Sequence, residues 1–334
     1  MRRDHSTPAG EVHRIFIESE VLKSNRLGDP TRRAVDVYVP HGHDGRDLPM
    51  LVDLAGFTGS GLKRSAWNGF AENMPERLDR LIASGELKPC VMVFPDCFTR
   101  LGGNQYINSE AVGRWGDYLI EEMVPAVEKQ FGCGGDGKRG VLGKSSGGYA
   151  AMYHGMKHAD FWSAIGVHSG DMGFEVAYLP DMPIALRALA KHGTFEEFLN
   201  SVEANHDPSH TDIHALMIFA MGATYDPDPN AFCGVTLPVD THTCELDRDA
   251  WARWLKWDPL HIFDEHVDDL KKLKGIWIDC GDVDQFNFVY VARRMERKLK
   301  AAGVGHVYEE FPDNHFSIDY RYDKSVPYLV NCLT

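Results

Sequence analysis

The cysteines of this sequence lack any paired spacing. All seven (Cys90, Cys97, Cys133, Cys233, Cys244, Cys280 and Cys332) stand apart, without a CxxC pair or a Cys/His ligand pattern. That excludes a zinc finger or ribbon and a dense disulfide framework. The odd count leaves at least one thiol without an intrachain partner, and Cys233 with Cys244 is the pairing that a local loop would allow. Long apolar runs are missing too, so no segment reads as a spanning helix. Met1-Arg2-Arg3 carries a twin arginine, but no apolar stretch follows it. No export signal is read there, and a cytoplasmic protein is the expectation. Runs of Lys and Arg are absent, and 49 acids outweigh 35 bases for a formal charge of -14. Nucleic acids and anionic membranes are therefore poor partners. No internal repeat is present, which removes the solenoid folds.

What the chain does have is apolar material: 43% hydrophobic and 11% aromatic residues in 334. This is enough for a large core, and the length fits one α/β domain carrying an insertion. Residues 13–20 and 34–40 alternate apolar and polar side chains like half-buried edge strands. Continuous apolar runs at 50–55 and 90–95 predict strands covered on both faces. An amphipathic helix is predicted over 111–131, with Leu119, Met123, Val124 and Val127 on one side. Strands follow at 139–142, 161–167, 275–280 and 304–311, with helices at 147–156, 288–302 and 318–331. Such alternation predicts a mostly parallel sheet flanked by helices.

One interval breaks the rhythm. Between His168 and Gly275 lie far more residues than a simple crossover needs. Their pattern is helical (183–192, 195–204, 211–222, 247–256). We expect residues 172–273 to form a cap over the sheet's carboxyl edge, and 1–171 with 274–334 to form the core; a peripheral insertion is the alternative. Trp251, Trp254 and Trp257 are expected to help line a substrate pocket beneath this cap.

Gly143-Lys144-Ser145-Ser146-Gly147-Gly148 contains G-x-S-x-G centred on Ser145, after a strand and at the head of a small-residue helix. That is the setting of a nucleophile elbow, where a serine sits on a strained turn and side chains at flanking positions would collide. Centring on Ser146 instead would put Lys144 where the turn wants a small residue. A glycine-rich turn capped by serines is the plainer alternative. The spacing of a P-loop is absent. Lys144 itself reads as a solvated or structural cation.

In this arrangement the acid and then the base follow the serine along the chain. Of Asp279, Asp282 and Asp284, the first lies inside a strand. Asp284 is preferred, with Asp282 the runner-up, because the Gly281 turn carries the chain onward before the carboxylate points back. His315, after the turn signal Phe311-Pro-Asp-Asn, is the candidate base; His306 sits in the strand pattern as a packing residue. Ser145 would then attack an ester carbonyl, with His315 taking its proton and Asp284 fixing the imidazole. Backbone N–H groups of Phe57 and Ser146 are the candidate oxyanion donors, with Gly56 in the flexible loop before Phe57. His168 and Asp171 follow a strand beside the nucleophile strand and are expected near the site, His168 in contact with substrate; a structural turn is the alternative. No cofactor is implied. His261 and His266 with nearby acids make only a weak metal-ligand pattern, against the alternative of a solvated face.

The sequence resembles the esterase family of α/β-hydrolases that includes esterase D (S-formylglutathione hydrolase), enterochelin-esterase-like proteins, some feruloyl esterases and the mycolyltransferases. The resemblance runs through Gly28-Asp29-Pro30 with Arg33, Val37-Tyr38-Val39-Pro40 and Val93-Phe94-Pro95-Asp96. It continues through Gly143–Gly148, His168-Ser169-Gly170-Asp171, Gly281-Asp282-Val283-Asp284 and Asn314-His315. It implies an α/β-hydrolase fold and a serine carboxylesterase acting on a small-molecule ester, with Ser145, Asp284 and His315 at the family's catalytic positions. The sequence departs from the family at Ala55-Gly56, at Ser146 where methionine is frequent, and in the long segment from Met172 to Leu273. An acyltransferase with the same triad and a non-catalytic binding module on this scaffold are the alternatives, and a homo-oligomer is left open.

Overall fold

The computed structural model describes residues 6–334; residues 1–5, with the twin arginine that reads as no export signal, lie outside the described residues. Eight strands form the main sheet: β1 (Glu11–Glu18), β2 (Arg32–Val39), β3 (Met50–Leu54), β4 (Val91–Pro95), β5 (Arg139–Lys144), β6 (Ala164–His168), β7 (Gly275–Gly281) and β8 (Val307–Phe311). Their order is β1-β2-β4-β3-β5-β6-β7-β8. β2 runs antiparallel to both its neighbours, β1 and β4. All later pairings are parallel. Every residue of β3, β4, β6 and β7 is buried, as continuous apolar runs require of strands covered on both faces.

Four readings of the sequence are corrected. β2 is an internal strand, not an edge. Its central Asp36 is buried because Arg14 holds both carboxylate oxygens, at 2.7 and 2.9 Å, and Ser65 donates a further hydrogen bond. The expected helix at 111–131 starts only at Trp115, after a short ladder between Asn108–Ser109 and Gly113–Arg114. His306 precedes the last strand, bonded through Nδ1 to the carbonyl of Val304. Cys233 and Cys244 are both free thiols, so that pairing is not formed.

The helix that follows β5, α1 (Ser146–Lys157), packs on β5 and β6. Between β6 and β7 come α2 (Met182–His192), α3 (Phe195–Ala204), α4 (His210–Tyr225) and α5 (Arg248–Leu255), within two residues of the expected helix starts. Thr194 and Ser209 open α3 and α4 with capping boxes, which satisfy the first free amides of each helix. Met172, Phe174, Tyr178 and Met221 from this insertion are buried in one continuous cluster with Val141 and Ile165 of the sheet and Tyr149 of α1. α6 (Phe288–Ala301) follows β7, and α7 (Tyr322–Leu333) covers the opposite face with Tyr322, Val326 and Leu329. Among the described residues no helix is long and apolar enough to cross a membrane.

Candidate active site

The carboxyl ends of β3, β5, β6, β7 and β8 lead into the loops that carry Phe57, Ser145, Asp171, Asp284 and His315. In open α/β sheets ligands gather at that edge. Ser145 sits between β5 and α1 with φ 59 and ψ -121, a left-handed conformation that a side chain adopts only when its surroundings enforce it. Its amide is tied to the carbonyl of His168, and its carbonyl accepts from the amide of Tyr149. The glycine requirement nearby is steric. A Cβ on Gly147 would stand 1.9 Å from the carbonyl oxygen of Leu54, so α1 can approach β3 only without one.

Asp284 and His315 meet. The imidazole Nδ1 and Asp284 Oδ2 are 2.7 Å apart, with both side chains nearly sealed from solvent. Asp284 Oδ1 accepts the amide of Phe286 at 2.9 Å, and Gln285 Oε1 accepts the amide of His315 at 3.0 Å. The two loops are thereby zipped together, helped by the amide of Val283 on the carbonyl of Asp313. Phe286, Phe288 and Phe316 set their ring edges around the imidazole with centroids 4.7, 5.4 and 5.6 Å away. Asp282 is exposed, whereas Asp284 is buried.

The hydroxyl of Ser145 points elsewhere. It donates to Asp171 Oδ1 at 3.0 Å, and Ser146 Oγ donates to Asp171 Oδ2 at 3.0 Å. Gln105, which no sequence pattern singles out, donates to Ser146 Oγ at 3.1 Å. Burial pushes the Asp171 carboxyl above its ordinary pKa, an effect opposed by nearby His315 and by hydrogen bonds from Ser145, Ser146 and Gln105. Asp171 therefore lies against the serine and within electrostatic reach of the imidazole.

Gly56 borders the same spot, since a Cβ there would lie 3.3 Å from Ser145 Cβ. The next residue, Phe57, is packed beneath Gly102 and Gly103, and Tyr106 Oη donates to the carbonyl of Ala55 at 2.7 Å. Among the described residues no backbone carbonyl accepts the amide of Phe57 or of Ser146.

A cavity of about 320 Å³ adjoins the base. Phe286, Gln285 and Phe316 from the acid and base loops form one wall, and Ala177, Asp181, His210 and His214 of the insertion form the other. His214 stacks on Phe286 at 5.5 Å and bonds Asp181 at 3.1 Å. The tryptophan expectation is corrected here. Trp251, Trp254 and Trp257 do not line this cavity. Trp254 is fully buried against Tyr178, Tyr225 and Trp251, and Trp257 donates to the carbonyl of Tyr225. Trp251 and Trp254 build the interior of the insertion, and the half-buried Trp257 packs on Tyr153 of α1.

His168 is corrected as well. Its side chain is fully buried, bonded to Asp279 through Nδ1 at 2.6 Å and to Ser325 through Nε2 at 3.0 Å. Both ring nitrogens are used, so none is left for a substrate. His266 is engaged with Asp269 at 3.1 Å.

Lys144 precedes the serine and has no ion pair among the described residues; its ammonium lies 5.4 Å from the Phe316 ring centroid. Burial pulls its pKa down to about 8, partly countered by Asp319. A depressed lysine binds fewer protons folded than unfolded from about pH 8 up to its ordinary value, so stability rises with pH through that window. Lys144→Met is expected to stabilise the protein at pH 7 by on the order of 1–3 kcal/mol. Paired urea melts at pH 7 and pH 10 check this; the gain shrinks at the higher pH, and a destabilised variant at pH 7 contradicts it.

The family described as "Putative esterase" matches residues 24–323. The chain belongs to that family. Membership makes the protein a carboxylic-ester hydrolase on an α/β-hydrolase fold. Among solved structures, a ferulic acid esterase is similar with TM-score 0.63 at 19% identity, covering 98% of this chain and 99% of the other. An S-formylglutathione hydrolase from Agrobacterium tumefaciens gives 0.62 at 16% identity, over 99% and 98%. One from Staphylococcus aureus gives 0.59 at 12% identity, over 96% and 99%. No curated protein sequence matches.

Proposed function

We propose that this esterase cleaves small carboxylic esters through an acyl-enzyme on Ser145. His315 takes the serine proton through Nε2 and returns it to the leaving alcohol. Asp284 fixes the tautomer from the Nδ1 side and offsets the charge of the imidazolium. The amides of Phe57 and Ser146 receive the oxyanion; among the described residues neither is taken by a backbone carbonyl, which suits that role. In this reading residues 172–273 act as a cap, and the acyl or alcohol part occupies the cavity between the insertion and Phe286. A short or aromatic acyl group suits a wall of phenylalanines.

The observation that carries the proposal is the strained backbone of Ser145 at the strand–helix elbow, at the same sheet edge as a histidine already held by a buried aspartate. For reaction the Ser145 hydroxyl turns from Asp171 to His315. A fluorophosphonate probe tests the scheme. It should modify Ser145, and hydrolysis of p-nitrophenyl acetate should fall in step with labelling. Complete labelling with undiminished hydrolysis, or modification at another residue, would refute it.

A further inference from the structure

Asp171 is used by nothing in the scheme above, yet it is the side chain that the Ser145 hydroxyl touches. Its place is built into the fold. Gly170 and Gly148 approach so closely that a Cβ on Gly170 would stand 3.0 Å from the Gly148 carbonyl carbon. This brings the loop after β6 onto the head of α1. The carboxylate is 1% exposed and each oxygen has a serine donor.

Acylation changes that balance. The Ser145 proton passes to His315 and then to the leaving alcohol, while Oγ becomes an ester oxygen without a hydrogen. Asp171 Oδ2 keeps Ser146, but the buried Oδ1 loses its Ser145 donor. An unpaired buried oxygen is costly, and more so when it carries charge. A donor on the acyl carbon next to the carbonyl stands three bonds from Oγ, which puts it within reach of groups that hydrogen-bonded to Oγ before reaction.

We infer that Asp171 is a specificity-determining residue that selects acyl groups bearing a hydrogen-bond donor, a hydroxyl or an ammonium, on the carbon next to the ester carbonyl. This rests on the esterase reading and refines it. The restored hydrogen bond becomes available once the Ser145 hydroxyl has left Asp171 for His315, so the preference falls on kcat/KM for acylation and on the lifetime of the acyl-enzyme.

Methyl lactate and methyl 2-methoxypropionate test it, because the second has the same oxygen but no donor. Alanine methyl ester supplies the ammonium arm, and methyl propionate is the unsubstituted control. The parent is expected to favour lactate over the methoxy ester at least tenfold in kcat/KM, and Asp171→Leu to bring the ratio near unity. A loss of folded enzyme scales both rates and leaves their ratio unmoved. Asp171→Asn separates the donors: its oxygen still accepts from a hydroxyl, so the lactate ratio survives, whereas the advantage of the ammonium ester over propionate shrinks with the loss of charge attraction. Equal lactate ratios in the parent and Asp171→Leu overturn the inference, as does a parent that prefers neither donor ester while cleaving p-nitrophenyl acetate. Inactivity towards every ester, p-nitrophenyl acetate included, overturns the esterase reading itself.

Discussion

Ser145→Ala is expected to lower kcat for p-nitrophenyl acetate by about 10⁴- to 10⁶-fold with little change in KM, while Ser146→Ala stays within about tenfold of the parent. The two serines are neighbours and both donate to Asp171, so hydrogen bonding alone does not separate them. Backbone geometry does. Ser145 holds φ 59 on the turn, whereas Ser146 is the first residue of α1 with its hydroxyl fully buried between Gln105 and Asp171. In the proposed scheme Ser146 contributes its amide, which alanine retains. Residues acting as one unit are not additive, so Ser145→Ala combined with His315→Ala should be no slower than Ser145→Ala alone, leaving the residual rate that oxyanion donors and binding supply. Steady-state kinetics on the three variants decide it. Ser146→Ala as slow as Ser145→Ala would move the nucleophile by one residue.

The comparison of Asp282 with Asp284 shows what the sequence could carry. The order of serine, acid and base, with the glycine turn after β7, selected Asp284, and the structure buries it against His315 while leaving Asp282 exposed. Chain order at strand ends is topological information, and a parallel sheet transmits it almost unchanged. Element periodicity behaved similarly: the insertion's helices were legible because their apolar residues repeat with a helical period.

Burial of single side chains was less legible. Trp251, Trp254 and Trp257 are spaced like residues on one helical face, and that pattern is the same for a pocket wall and for an interior. Three aromatic neighbours around Trp254 turn it inward, and they come from residues 178, 225 and 251. The contact between Asp171 and Ser145 depends on a glycine of the loop after β6 meeting one in the first turn of α1, which no local spacing encodes. The helix at Met74–Ala83 was missed although its signal was present: Asn73 and Glu76 form a capping box.

Asp279 is where the largest stability loss is expected. It was set aside as a catalytic acid for lying inside a strand, and the same placement makes it the centre of a buried network. Oδ1 meets His168 Nδ1 at 2.6 Å, and Oδ2 accepts from Trp277 at 3.0 Å and from Arg321 Nε at 2.9 Å. His168 stacks on Tyr322 at 4.6 Å, so the network clamps α7 to the sheet. Burial alone would raise the Asp279 carboxyl, but His168, Trp277 and Arg321 hold it below the ordinary carboxylate value. Asp279→Ala leaves Arg321 and His168 buried without their shared partner, a loss of about 3–5 kcal/mol. A carboxyl depressed by folding contributes its stability above the unfolded-state pKa and loses it as pH falls through the folded value. The gap between the parent and Asp279→Asn should therefore be full at pH 7 and narrow in acid. Urea melts at pH 7 and pH 3.5 measure it. A gap that is the same at both pH values would mean that the carboxylate charge contributes nothing, and that shape alone holds α7 in place.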